Sequence, residues 1–173
     1  QTNKTSTVTE WNGGIWQYKY DALLNVQTEI TDPDGNIRTK VYDNNKNLVS
    51  ETDPQGNTST YTYDTAGNMT SVKDAAGNIT AYTYNSFGQA TSVTTPDNKT
   101  TSYVYDAKGN LTSTTDPSGA VTQYQYDSRG NLIKAISPPL LGGQELSAIS
   151  YTYDQYNNPV SITDSTGATT TFT

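Results

Sequence analysis

Five- and six-residue runs rich in Thr, Val, Tyr and Ser, such as Met69 to Lys73 and Thr58 to Tyr63, alternate with turn-forming clusters along the chain. Runs of this composition favour strands. The clusters are of two kinds. One reads Asp32-Pro33-Asp34-Gly35, Asp53-Pro54-Gln55-Gly56, Asp74-Ala75-Ala76-Gly77, Thr95-Pro96-Asp97-Asn98 and Asp116-Pro117-Ser118-Gly119. The other follows a tyrosine, as in Asp64-Thr65-Ala66-Gly67, and leads through Asn or Gln into an apolar slot filled by Leu48, Met69, Ala90, Leu111 and Leu132. In both, Asp accepts local backbone bonds, the second position suits Pro, and Gly in fourth place tolerates positive φ. This is the grammar of a type I turn closed by a glycine bulge. Each unit is thus predicted to be one β-hairpin, and the chain a meander of hairpins.

The aromatic positions fix the phase. Thirteen of the 14 tyrosines occupy a Tyr-x-Tyr slot: Tyr18, Tyr20, Tyr61, Tyr63, Tyr82, Tyr84, Tyr103, Tyr105, Tyr124, Tyr126, Tyr151 and Tyr153, with Tyr42 standing alone because Lys40 replaces its partner. The second ring falls at 42, 63, 84, 105 and 126, a 21-residue period. A fixed period of this length marks a repeat array whose units stabilise one another by stacking. Residues two apart on a strand point the same way, so the rings of a unit should share one face and form a structural ladder, with equivalent rings two strands, or ~9.5 Å, apart. The opposite face should carry mostly Thr.

Parity adds a constraint. Three-residue turns at both ends of every strand would give an even period, one residue longer than the observed 21. A one-residue slip turns every side chain to the wrong face, so each regular unit must absorb a mismatch. A β-bulge in the second strand, between Met69 and Val72 or Ala90 and Val93, would absorb it and bring both apolar residues to the tyrosine face. A two-residue loop at one turn is the alternative. The first unit, where Tyr20 to Tyr42 spans 22, should need no bulge.

The organisation is read as a single repeat array over 1–173: a partial unit at 1–17, regular repeats at 18–136, an insertion loop at 137–146, and a last repeat with a truncated next unit at 147–173. Glu10-Trp11-Asn12-Gly13 fills a turn slot of an earlier unit, and Phe172 fills the first ring slot of a later one. The expectation is a fragment of a longer array, although a short array with degenerate caps would look similar. The insertion, Ser137-Pro138-Pro139-Leu140-Leu141-Gly142-Gly143-Gln144-Glu145, is excluded from the ladder by Pro and Gly. Its leucines could contact a partner or simply decorate a tolerated loop.

Low hydrophobicity would ordinarily suggest disorder, but phased tyrosines and placed glycines do not accompany disorder. The chain has no Cys and so no disulfide staple. No apolar run approaches the ~20 residues of a membrane helix. A net charge of −7 with ten scattered basic residues argues against nucleic acid and anionic membranes as partners. Secretion or display at the cell surface is the expected location.

The motifs resemble the Rhs or YD-repeat family, whose units carry Tyr-x-Tyr-Asp-x-x-Gly-Asn-Leu followed by Asp-Pro-x-Gly. Tyr103-Val104-Tyr105-Asp106-Ala107-Lys108-Gly109-Asn110-Leu111 with Asp116-Pro117-Ser118-Gly119 reproduces it nearly in full. The resemblance covers the chain from Glu10 onward. The family includes bacterial Rhs and wall-associated polymorphic toxins, the C components of Tc toxins and animal teneurins. It implies an all-β fold: one twisted, spiralling antiparallel sheet of hairpins forming part of a hollow β-shell, which in the toxins encloses a C-terminal toxic domain. The autoproteolytic core of the family has no match here.

The candidate chemistry is sparse. There is no His, no Cys and no Gly-x-Ser-x-Gly, so neither catalytic nor cofactor-binding residues are assigned. Asp32-Pro33-Asp34-Gly35-Asn36 superficially resembles a calcium loop, but the second acid recurs only at Asp97 and no closing Glu follows, so turn chemistry is preferred and no metal is assigned. Asp53, Pro54, Gly56, Asp64, Gly67, Asp116, Pro117 and Gly119 are read as turn residues. Asn-x-Thr/Ser triplets at Asn3, Asn57, Asn68, Asn78, Asn98 and Asn110 follow from Asn preceding a Thr-rich strand. Trp11, Trp16, Phe87 and Tyr156 are the candidate ligand contacts. The sequence supports a structural scaffold whose partners are neighbouring repeats and an enclosed effector, with a carbohydrate-binding adhesive module as the alternative.

Overall fold

The computed structural model describes residues 3–138 and 147–172. Most of the 137–146 insertion therefore lies outside the described residues. Among those described there is no helix, and all sixteen strands are antiparallel. The chain divides into two compact units, Gln1–Thr83 and Tyr84–Thr173.

The first unit holds β1 (Lys4–Thr9), β2 (Ile15–Tyr20), β3 (Gln27–Thr31), β4 (Ile37–Tyr42), β5 (Leu48–Thr52), β6 (Thr58–Tyr63), β7 (Met69–Lys73) and nearly all of β8 (Ile79–Tyr84), each paired with the next. The second holds β9 (Ala90–Thr94), β10 (Thr100–Tyr105), β11 (Leu111–Thr115), β12 (Val121–Tyr126), β13 (Leu132–Ser137), β14 (Ser147–Tyr153), β15 (Pro159–Thr163) and β16 (Thr169–Thr171), again paired in succession. Pro159 opens its strand, where a missing N–H costs the ladder least.

Both turn types close as three-residue loops. Gly56 N donates to Asp53 O at 3.0 Å and Asp53 N to Asn57 O at 2.9 Å, and the tyrosine turn repeats this with Gly67 to Asp64 and Asp64 to Asn68. Gly56 and Gly67 have φ of 85° and 88°, the left-handed region that favours glycine.

The odd period is absorbed by a bulge. Tyr61 faces Val72, Thr62 faces Ser71, and Tyr63 faces Met69, so Thr70 is the extra residue. The same irregularity leaves Val49 extra opposite Tyr42, Thr112 opposite Tyr105, Ile133 opposite Tyr126 and Val160 opposite Tyr153. Every one of these residues is β-branched, which suits an extended, crowded backbone. By shifting register the bulge sends both flanking residues, Met69 and Val72, to the face of the rings.

The first unit departs from the expectation that its extra residue removes the bulge. Lys19 faces Glu29 and Tyr20 faces Gln27, so a bulge remains at Thr28. The additional residue is taken up in the turn: Asp21 N bonds to Val26 O, one position farther than in a regular turn, and Asn25 has φ 53°. The physical reason is that a longer exposed turn adds little closure entropy, whereas abolishing the bulge would turn part of a strand to the wrong face.

Among the described residues none is fully buried. The ladder tyrosines are half-buried, while the residues between them, such as Thr62, Val104 and Gln125, are exposed. Stability thus comes from ladders, turns and half-buried rings rather than from an enclosed core. Deleting Thr70 should cost at least about 2 kcal/mol, because it exposes Met69 or Val72. Inserting one residue in the Asp64–Gly67 turn should cost under about 1 kcal/mol. Equal shifts of the urea midpoint for the two variants would contradict this account.

Candidate functional site

The recurrent polar residues form one local device. In the turn that opens at Asp64, Oδ1 accepts the Ala66 and Asn68 amides, each at 2.9 Å, and Oδ2 accepts Asn68 Nδ2 at 2.9 Å. A carboxylate thereby satisfies three donors across a four-residue span and locks the turn. The clasp between Asp and Asn recurs at Asp32, Asp43, Asp53, Asp74, Asp106, Asp127 and Asp154. Where Ala120 and Ala168 replace the Asn, the hydroxyls of Ser118 and Thr166 donate to Asp116 and Asp164 Oδ1 instead, at 2.6 and 2.7 Å. At Asn85 the polarity reverses, with Asn85 Nδ2 donating to Gln89 Oε1 at 3.0 Å.

These donors hold the carboxyls below their ordinary value of 3.8. The Asn68 amide is the largest cause at Asp64, and the Asn110 amide at Asp106. In the Thr95-Pro96-Asp97-Asn98 turn, the Lys99 ammonium, 2.8 Å from Asp97 Oδ2, and the Thr95 hydroxyl bring Asp97 to about 2. Burial pushes the Tyr63 and Tyr126 hydroxyls upward.

The second ring of three slots reaches across the strand it neighbours. The Tyr63 hydroxyl donates to Leu48 O, Tyr105 to Ala90 O and Tyr153 to Leu132 O, each at 2.9 Å. Pairing between β5 and β6 ends at Ser50 opposite Thr60, short of the bulge, so the Leu48 carbonyl needs another donor. The phenol supplies it. On the other side of the bulge, Thr112 Oγ1 donates to Val104 O at 3.1 Å and Thr28 Oγ1 to Lys19 O at 3.3 Å. Neither hydroxyl role is visible in a pattern of residue types. The signal that was available is the β-branched residue that follows the apolar slot in nearly every unit.

The absent ring at Lys40 is answered by a charge. Lys40 lies opposite Glu51, which stands where the next two units have Val72 and Val93, and Arg38 Nη1 meets Glu51 Oε1 at 3.0 Å. A half-exposed ion pair contributes little to stability but keeps the two polar groups partnered.

The candidate ligand contacts are dispersed. Trp11 is 99% exposed at the tip of a turn of the first unit, whereas Trp16 is half-buried on β2 with Nε1 donating to Glu10 Oε1 at 2.9 Å. In the second unit Phe87 and Tyr156, 76% and 73% exposed, occupy the third position of two tyrosine turns. No group of three or more acidic or metal-ligating side chains that could hold a metal occurs among the described residues.

The tyrosine turns of the second unit are bonded to each other. Gln89 Nε2 donates to Gly109 O at 2.8 Å, Lys108 Nζ to Ser128 O at 3.1 Å, and Arg129 Nη1 to Asp154 O and Asn131 Nδ2 to Asn157 Oδ1, both at 2.9 Å. Four successive turns thus form a continuous rim.

The RHS Repeat profile matches residues 42–79, 65–101, 84–120 and 105–138. The complex of TcdB2, TccC3 and Cdc42 contains a chain of similar fold, with a TM-score of 0.66 and 20% identity over 94% of this chain and 10% of that one. The Tc holotoxin pore of Photorhabdus luminescens gives a TM-score of 0.66 at 19% identity, over 98% of this chain and 11% of that chain. The chain therefore spans about a tenth of these neighbours. No curated protein sequence matches it.

Two outcomes follow from this geometry. Because the clasped carboxyls titrate lower folded than unfolded, their stabilisation is present above the ordinary value of 3.8 and is lost as pH falls through the folded values, about 2 for Asp97. The urea midpoint should be level from about pH 7 to 5 and fall steadily below about pH 4; a midpoint unchanged at about pH 2 would sink the idea. Tyr105→Phe should cost about 0.5–1.5 kcal/mol through the lost bond to Ala90 O. Tyr105→Ala should cost more, since a half-buried ring is lost as well. Indistinguishable denaturation curves for the two variants would show that the ring contributes nothing.

Proposed function

The chain belongs to the RHS repeat family, and on that footing we propose that it is a non-catalytic stretch of structural wall in a longer secreted or cell-surface protein. In this reading the wall, one continuous array over 1–173, encloses or carries a C-terminal toxin or effector domain. The observation that carries the proposal is that the recurring side chains are committed within the array. Asp and Asn close turns, the phenols of Tyr63, Tyr105 and Tyr153 bond to neighbouring strands, and the ladder rings lie half-buried on one face. A wall needs such residues. A catalytic centre needs uncommitted ones. The length of the neighbours, about ten times that of this chain, supports its being one part of a longer array.

A carbohydrate-binding adhesive module is the second reading, supported by the exposed rings of Trp11, Phe87 and Tyr156. Those rings stand at turn tips rather than side by side on a sheet face, which favours the scaffold.

A wall built of equivalent units should tolerate removal of a whole unit. Excision of residues 106–126, which joins Tyr105 to Asp127 and restores the motif, should leave a cooperatively unfolding array, whereas excision of half that length should not. In a longer protein carrying this stretch, a domain that follows it should resist protease while the repeats are intact. Rapid digestion of that domain, or saturable binding of this chain on a glycan array, would count against the scaffold.

A further inference from the structure

The second unit presents an ordered row of exposed side chains at its turn tips. Phe87, Lys108, Arg129 and Tyr156 each occupy the third position of four successive tyrosine turns. The backbone amide of each is held by the first residue of its own turn: Phe87 N by Asn85 Oδ1 at 2.9 Å, Lys108 N by Asp106 Oδ1 at 2.8 Å, Arg129 N by Asp127 Oδ1 at 2.9 Å and Tyr156 N by Asp154 Oδ1 at 2.8 Å. Identical pinning gives the four side chains the same starting direction. The bonds between turns along the rim fix their order: aromatic, cation, cation, aromatic.

The acids beside them are engaged. Asp106, Asp127 and Asp154 each give Oδ1 to two backbone amides and Oδ2 to an Asn amide, and Arg129 Nε also stands 3.5 Å from Asp127 Oδ2. The first turn of the row has no acid, because Asn85 stands in its place. There, Phe87, Gln89, Ala107, Lys108 and Gly109 line a pocket of about 300 Å³. Lys108 and Arg129 spend one donor each on the next turn and keep others for a ligand.

We infer that this rim is a docking surface for an extended acidic peptide segment, with carboxylates at every third residue and an apolar residue at each end. Successive turns on one edge lie two strands, or ~9.5 Å, apart. A polyproline II segment turns once in three residues at ~3.1 Å each, so its like-facing side chains recur every ~9.3 Å. Two carboxylates three residues apart therefore meet Lys108 and Arg129 in phase. The flanking apolar residues reach Phe87 and Tyr156. A β-strand peptide does not fit, because its like-facing side chains recur every second residue. The inference goes beyond the scaffold role, since Phe87 and Tyr156 are largely exposed and the two cations keep donors beyond those given to Ser128 and Asp154.

The test uses the whole chain and a fluorescein-labelled peptide, Leu-Pro-Pro-Glu-Pro-Pro-Glu-Pro-Pro-Leu, titrated by fluorescence anisotropy at low and moderate salt. Saturable binding that weakens with salt is expected. At least a tenfold loss is expected when both Glu are replaced by Gln, when the two Glu are spaced four apart, and for the Lys108→Gln/Arg129→Gln double variant. Phe87→Ala and Tyr156→Ala should each weaken binding without changing the salt dependence. Circular dichroism melts of Phe87→Ala and Tyr156→Ala should overlay the parent, and the double variant, which loses two bonds along the rim, should melt slightly lower with an unchanged spectrum at the binding temperature, which separates lost contact from lost fold. The inference is overturned by no saturable binding, by equal affinity for the Gln or re-spaced peptides, or by a uronate oligosaccharide binding where the peptide does not.

Discussion

The structure depends on a conflict of parity. Side chains alternate on a strand with period two, while the unit of this chain repeats every 21 residues, an odd number. An array built on perfectly regular ladders could not keep its rings on one face from one unit to the next. A single extra residue per hairpin, at Thr28, Val49, Thr70, Thr112, Ile133 and Val160, resolves the conflict. The bulge is therefore the condition for having a tyrosine face at all.

The bulge creates local needs that other recurring residues meet. It ends the pairing of β5 with β6 at Ser50, and the Tyr63 hydroxyl takes the Leu48 carbonyl that is left over. It separates Val104 from its regular partner, and Thr112 Oγ1 takes that carbonyl. The turns on either side are held by carboxylate clasps that do not rely on a core. That matters in a protein where no described residue is fully buried, because backbone polar groups at the sheet ends would otherwise compete for water. The ladder, the bulge, the phenol and the clasp form one system, each accounting for the presence of the next.

Most of the fold was legible in the sequence because its signals are local and repeated. Turn residues fix hairpin ends, ring spacing fixes the face, and period parity locates the bulge between Met69 and Val72. The first unit was misread because parity alone does not say where an extra residue goes; the turn at Asp21–Val26 accepts it more easily than a strand does. The clasp was half legible, since Asp and Asn four apart were evident but their shared carboxylate geometry was not. Replacement of Asn by Ala at 120 and 168, together with Ser118 and Thr166, is the trace it left. Bonds such as Lys108 to Ser128 were out of reach, because they depend on how one turn leans over the next.

A repeat whose length is fixed by a phase-restoring bulge also constrains how the gene that encodes it can change. Loss or gain of one codon within a strand puts the downstream rings on the wrong face, whereas loss or gain of twenty-one codons leaves the phase untouched. Of the length changes such an array can undergo, those by whole units leave every strand in phase. A single extra residue is accommodated in a tyrosine turn, as the first unit shows at Asp21–Val26. Outside its turns the array is thus quantised in length at the level of DNA, and its size can change by duplication of whole units without any strand having to be redesigned.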